Sequence, residues 1–296
     1  MELLEYTAVR ILAFIFRALP EKISRKLGIM IALSAKAALP KRRGIVKDNL
    51  KKTFPGKSEN EINRIALETW KHSGIIASEF ARSVSMTNEN VFEKFEFVNE
   101  ENYIDAISMG RGVIMLASHI GNWELMGMAL AVRGYKLLVI ARQLRNRPGS
   151  EYIKYLRERA GMKIVYEHEG VKETTKYINE GGSVAIIIDQ HITEGGVIVD
   201  FLGRPAYTTS LIPLLAKKTG APVIPFYNLR QPSGRYTVYF EKAIELYESG
   251  NFKQDIIRNT AMLNGVIGKW IKKTPEQWFW LHNRWKVDTQ ENSTEV

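Results

Sequence analysis

Leu116-Ala117-Ser118-His119-Ile120-Gly121-Asn122-Trp123-Glu124 carries an apolar run into a polar turn and out again into a helix. Upstream, Gly112 to Ala117 has the apolar continuity of a buried parallel strand. Downstream, Leu125 to Val132 reads as a helix with Asn122 at its N-cap. His119 then stands at the carboxyl end of a strand, the edge at which open α/β sheets bind ligands. On a continuous helix, Glu124 would be turned about 140° away from His119. With His119 before the helix and Glu124 in its first turn, the carboxylate is expected to fold back onto one ring nitrogen and leave the other as a general base. A Glu in a first helical turn is also favoured by the helix dipole alone, so the pair needs support from elsewhere in the chain.

That support begins with the pattern around it. From Phe95 onward, short apolar runs alternate with helical stretches, which predicts βαβ units and a mostly parallel central sheet flanked by helices. The runs are Gly112 to Ala117, Lys136 to Ile140, Lys163 to Val165, Ser183 to Ile188 and Val223 to Phe226. Three end in polar residues: Ser118-His119, Ala141-Arg142 and Asp189-Gln190-His191. At one sheet edge such endings converge on a single cleft. Arg142 is a candidate phosphate fork, while Arg145 and Arg147 read as solvated loop residues. Asp189 and Gln190 are candidates for holding the substrate, although a lone Asp at a strand end also suits a turn. His119, Glu124, Asp189 and His191 lack the spacing of a metal-binding helix, and no metal is assigned.

Phe201 to Ser210 is rich in turn formers and reads as a loop leading into a helix at Leu211, with Arg204 placed to face a ligand. Gln277-Trp278-Phe279-Trp280-Leu281-His282-Asn283-Arg284-Trp285 concentrates aromatic residues, which suits a lid on the core or an interface anchor. Before the α/β region, Ser58-x-x-Glu61 is a capping box opening a long helix to about Val84. His72 and Glu79 lie on it and read as structural or solvent-facing.

The first forty residues hold two apolar segments, Leu3 to Leu19 and Leu27 to Leu39. Arg10, Arg17 and Lys36 interrupt them, prolines 20 and 40 follow them, and both fall short of a spanning helix. Basic-edged apolar helices suit the surface of an anionic membrane. The ordinary alternative is that they are core helices. The chain has 296 residues, a formal charge of +10 and no cysteine. That length fits one large α/β domain with appended helices better than two independent domains. The absence of cysteine excludes disulfides, thiolate zinc sites and an acyl-cysteine intermediate. The basic surplus points to an anionic partner, and the absence of nucleic-acid motifs turns that away from DNA and RNA.

Six motifs in order resemble the bacterial lipid A biosynthesis acyltransferase family, the late lauroyl and myristoyl transferases. They are His119-x4-Glu124, Arg142-x3-Asn146, Asp189-Gln190, Phe201-x-Gly203-x-Pro205-Ala206, Ala221-Pro222-Val223-Ile224-Pro225 and Gln277 to Trp285. Ala141 and Gln143 depart from the pattern around Arg142. The resemblance implies a glycerolipid acyltransferase-like α/β domain over 41–296, with membrane-associated helices over 1–40. It implies transfer of a fatty acyl chain from an acyl-carrier protein or coenzyme A thioester to a hydroxyl of a glycolipid, a lipid A precursor, at the cytoplasmic face of the inner membrane. No cofactor is implied. His119 and Glu124 take the catalytic roles; Arg142, Asp189, Gln190, Arg204 and Asn122 are the expected substrate contacts. A hydroxyl attacking a thioester needs a base, which a neutral His supplies. No G-x-S-x-G elbow offers an acyl-serine, so direct transfer is expected, with amides at the Asn122 helix start or Arg142 meeting the oxyanion. The alternatives are a phosphatidylinositol mannoside or lysophospholipid acyltransferase, or a noncatalytic lipid-binding protein.

Overall fold

The computed structural model of the protein describes residues 2–143, 146–167, 170–192 and 194–286. Its chain begins with four helices: α1 (Glu2–Ala18), α2 (Glu21–Ala38), α3 (Pro40–Thr53) and α4 (Glu59–Arg82). Pro40, which cannot donate to the turn before it, opens α3. The Ser58 box opens α4 as expected: Ser58 Oγ accepts from the Glu61 amide, and the Glu61 carboxylate accepts from the Ser58 amide at 2.9 Å. A short helix α5 (Asn88–Lys94) leads to β1 (Phe95–Val98), α6 (Glu101–Ser108) and β2 (Val113–Ala117). Next come α7 (Trp123–Val132), β3 (Leu137–Ala141), α8 (Arg147–Arg159), β4 (Lys163–Tyr166), α9 (Gly170–Asn179) and β5 (Ser183–Ile187).

The stretch expected to be a loop is in part a strand. β6 (Gly196–Phe201) and β7 (Arg204–Thr209) form an antiparallel hairpin. Its two turn residues, Leu202 and Gly203, both have positive φ, 57° and 83°. A two-residue turn with that hand matches the twist of the flanking strands, and the turn formers that suggested a loop mark a hairpin instead. After α10 (Leu211–Thr219), β8 (Val223–Arg230) runs past its expected end at Phe226. It pairs with β9 (Tyr236–Phe240), and α11 (Phe252–Lys273) follows.

The sheet order is β1-β9-β8-β2-β5-β3-β4, parallel throughout except for the β8–β9 pair. This is the mostly parallel, helix-flanked sheet that the alternation predicts. β2 lies inside it, every residue buried, and its side chains divide by parity. Ile114 and Leu116 enter a core with α4, α10, α11 and the carboxyl-terminal tryptophans. Val113, Met115 and Ala117 enter a second core with α1, α6, α7 and α8.

α1 and α2 are bolted to this body. A Cβ on Gly28 would collide with the Gly74 carbonyl oxygen, and one on Gly74 with that of Gly28, so the glycine pair lets α2 and α4 touch backbone to backbone. Arg82, on α4, donates to the carbonyl oxygens of Phe16 and, at 2.6 Å, of Leu19, tying down the end of α1. Their other faces leave Ile11, Phe14, Ile23 and Met30 exposed. No described helix is long and apolar enough to cross a membrane.

Candidate active site

Strands β2 and β5 pair in register, with Ala117 opposite Ile187, and each chain then continues two residues to a polar group. Those groups are His119 and Asp189, and they meet. The imidazole Nδ1 lies 2.7 Å from Asp189 Oδ1. Asp189 Oδ2 accepts from the His119 backbone amide at 2.8 Å, Ser118 Oγ at 2.7 Å and Trp278 Nε1 at 2.6 Å. Burial of this fully enclosed carboxyl acts to raise its pKa. Electrostatic attraction to the His119 ring and the hydrogen bonds from His119, Ser118 and Trp278 outweigh burial and hold it well below the usual carboxylate range. An ionised Asp189 accepts only, so Nδ1 of a neutral imidazole carries the proton and Nε2 carries the lone pair. The His119 side chain is 18% exposed, enough for Nε2 to meet a ligand. Gln190 Nε2 lies 3.1 Å from it. Trp123 meets the imidazole edge-on at 4.8 Å between ring centres, and Phe279 stands at 6.3 Å.

The loop carrying His119 is held from three sides. Gly121 has φ of +62°, and a Cβ there would strike the Asn228 carbonyl and side chain, so only glycine brings the chain so close to β8. Asn228 accepts from the Asn122 amide at 2.8 Å and donates to its carbonyl at 3.0 Å. His72, on α4, donates to the Gly121 carbonyl at 3.0 Å; burial lowers its pKa to about 4 and keeps it neutral. From the carboxyl-terminal segment, the Gln277 carbonyl accepts from Gly121 and the Phe279 amide donates to the His119 carbonyl.

A histidine with a fixed tautomer, at a strand end and with one nitrogen turned toward the cleft, can take a proton from a hydroxyl that displaces Gln190 from that nitrogen. Residues 2–287 match the family described as bacterial lipid A biosynthesis acyltransferase. The chain belongs to that family. A lipid A biosynthesis acyltransferase of Haemophilus influenzae is 23% identical over 273 residues, 92% of this chain and 83% of that protein. A lipid A biosynthesis lauroyltransferase of Escherichia coli is 23% identical over 271 residues, 91% and 87% of the two chains. A phosphatidylinositol mannoside acyltransferase of Mycobacterium tuberculosis is 27% identical over 194 residues, covering 63% of this chain and 58% of that one.

In this acyltransferase, Glu124 does not fold back onto His119. Its carboxylate takes a bidentate pair from Arg157, on α8, with Nε at 3.0 Å and Nη2 at 2.7 Å. The helix begins at Trp123, directly after the expected N-cap Asn122, and Glu124 stands in its first turn as expected, but that turn faces α8, where Arg157 takes the carboxylate. Asp189, expected among the substrate contacts, is the carboxylate that orients the histidine. Asn122, expected among the substrate contacts, is fully buried and does not face the cleft. Its Oδ1 caps α7 through the Leu125 amide, and its Nδ2 donates to Glu79 Oε2 at 3.0 Å. Glu79 is itself buried and takes the Tyr236 hydroxyl at 2.5 Å; burial raises its pKa, while Tyr236, Arg230, Asn122 and Arg25 act to lower it.

Arg204 does not reach the histidine either. Its guanidinium lies 4.2 Å from the centre of the Trp285 ring, and Trp285 in turn packs on Trp278. Arg142 is exposed just beyond the end of β3, with β5 between that strand and β2. Arg145 lies outside the described residues. Asn146 caps α8, accepting from the Gly149 amide at 2.8 Å. His191 donates its backbone amide to His282 Nε2 at 2.9 Å, and burial lowers the His282 pKa to about 4. Among the described residues no group of three or more His, Asp or Glu is placed to hold a metal ion.

Three contributors escaped the sequence. Arg157 is one of two arginines in the last turn of α8 and carries no local signal. Ser118 and Trp278 stood inside quoted motifs, yet nothing in their spacing pairs either with Asp189.

Proposed function

We propose that the protein transfers a fatty acyl chain from a thioester to a hydroxyl of a phosphorylated, already acylated glucosamine lipid, a lipid A precursor, with His119 as the general base. The observation that carries this reading is the set of donors on Asp189, which leaves the Nε2 lone pair of His119 facing the cleft. The acceptor hydroxyl gives its proton to Nε2 as its oxygen attacks the thioester carbonyl carbon. The tetrahedral intermediate then collapses, the C–S bond breaks, and the imidazolium returns the proton to the departing thiolate. Products are an ester and a free thiol. Asp189 stabilises the transient imidazolium without taking its proton.

The oxyanion has fewer candidate donors than the local sequence implies. The amides of His119, Gly121 and Asn122 are spent on Asp189, Gln277 and Asn228. The amides of Trp123 and Glu124, in the first turn of α7, stand where the helix dipole favours negative charge, and we assign the oxyanion to them. Arg142 is the candidate for a lipid phosphate. The exposed apolar side chains of α1 and α2, with the basic surplus, support docking on an anionic membrane surface at its cytoplasmic face. The donor is an acyl-carrier protein or coenzyme A thioester.

The mycobacterial relative supports a second acceptor, a phosphatidylinositol mannoside, served by the same chemistry. Purified protein offered an acyl thioester with a tetra-acylated lipid A precursor, a phosphatidylinositol mannoside or a lysophospholipid separates these. Mass spectrometry should find one added acyl group on the lipid A precursor only. Acylation of another lipid with that precursor untouched overturns the acceptor and leaves the histidine chemistry standing.

A further inference from the structure

His119 presents Nε2 to a cleft walled by Trp123 and Phe279, and the polar side chain hydrogen-bonded to that nitrogen is Gln190. With Nδ1–H given to Asp189, Nε2 accepts and the Gln190 amide donates, at 3.1 Å. A lone pair engaged in this way cannot take a proton. The amide must leave before any hydroxyl, of a lipid or of water, is activated. Asp189, next in the chain, is locked by its four donors, so the movement falls to the Gln190 side chain, which is only half-buried.

We propose that Gln190 is a displaceable cap on the base that suppresses thioester hydrolysis in favour of transfer to lipid. The inference rests on the acyl-transfer reading above. A water molecule offers one hydrogen bond in exchange for the one it breaks and gains little by displacing the amide. A lipid hydroxyl arrives with the binding energy of its chains and head group, which can be spent on moving the cap. Without the cap, water gives a proton to Nε2 and its oxygen attacks the thioester carbonyl. The C–S bond breaks, the proton passes to the thiolate, and a fatty acid and a thiol are released.

The test uses the full chain with an acyl-coenzyme A, following thiol release without acceptor and the ratio of free acid to acylated lipid with the lipid A precursor present. Gln190→Ala should raise acceptor-independent thiol release about tenfold, the weight of one hydrogen bond, and raise the acid-to-ester ratio. Adding His119→Ala should abolish that rise, because the water is activated through Nε2. If Gln190→Ala unfolds on thermal melting, Gln190→Asn carries the test, since it keeps the amide and falls one methylene short of the ring. Wild-type hydrolysis and ratio in a folded variant overturn the cap. Absence of acylated lipid from the wild-type protein with every acceptor overturns the transfer reading itself, and the cap with it.

Discussion

At the scale of single residues, the competition between two carboxylates decides the site. Glu124 is near His119 in sequence, and Asp189 is bonded to it in space. Their roles separate in kinetics. Asp189→Asn can no longer fix the tautomer with Nε2 unprotonated, and kcat should fall by about 10²-fold to 10⁴-fold with little change in KM. Glu124→Gln and Arg157→Gln break one bidentate pair, and each leaves a half-buried charge unmatched. Their losses should be similar, and the double variant should lose little more than either single one, because the two side chains act as a unit. Additive losses in that cycle would place Glu124 on a partner other than Arg157.

At the scale of elements, α1 and α2 serve two masters. One face of each packs on α4, secured by the Gly28–Gly74 approach and the Arg82 cap, while the other shows Ile11, Phe14, Ile23 and Met30 to the exterior. Removing both helices would strip the core together with the exposed face. Glutamates at Phe14 and Met30 touch the exposed face alone and should leave the melting temperature within a few degrees of wild type, as exposed sites usually do. Co-sedimentation with anionic vesicles should drop sharply in that variant and, in the wild type, weaken as added salt shortens the screening length from about 10 Å at 0.1 M to about 3 Å at 1 M. Undiminished sedimentation of the double variant would place the contact elsewhere, with the exposed Phe252 of α11 the next surface to test.

Across the whole molecule, stability is tied to neutral buried histidines. His72 is buried, donates to the His119 loop and has a pKa lowered to about 4 from an ordinary 6.5, chiefly by burial. The unfolded chain protonates it below 6.5, while the folded chain resists until about 4. Its contribution is therefore complete above pH 6.5 and lost as pH falls through that window. The loss is about 2 kcal/mol between pH 7 and pH 5. His282, lowered by burial to about 4 as well, acts with the same sign. Denaturant unfolding at the two pH values should show the drop, and His72→Gln, which can still donate to the Gly121 carbonyl, should reduce it. An equal drop in His72→Gln would assign the pH dependence to other groups.

The parallel sheet, the strand-turn-helix at His119, the capping box of α4 and the convergence of the β2 and β5 ends were all legible in sequence. Each follows from periodicity or from a cap acting over a few residues. The hairpin of β6 and β7 was not legible, because turn formers in a loop and in a two-residue reverse turn are the same residues. The identity of the histidine's partner was not legible at all. His-x4-Glu and the distant Asp189 offer equivalent chemistry, and the choice is made by the β2–β5 register together with the packing of α8, which brings Arg157 to Glu124 in the first turn of α7. Asn122 and Arg204 have the residue types of ligand contacts, yet burial against Glu79 and stacking on Trp285 take them out of the cleft. The sequence by itself determined which elements form and which polar residues reach the sheet edge, since those depend on neighbours along the chain. Only the tertiary structure decided which of those residues touch, because hydrogen bonds of 2.6–2.8 Å between Asp189 and donors 70–89 positions away depend on strand register and packing.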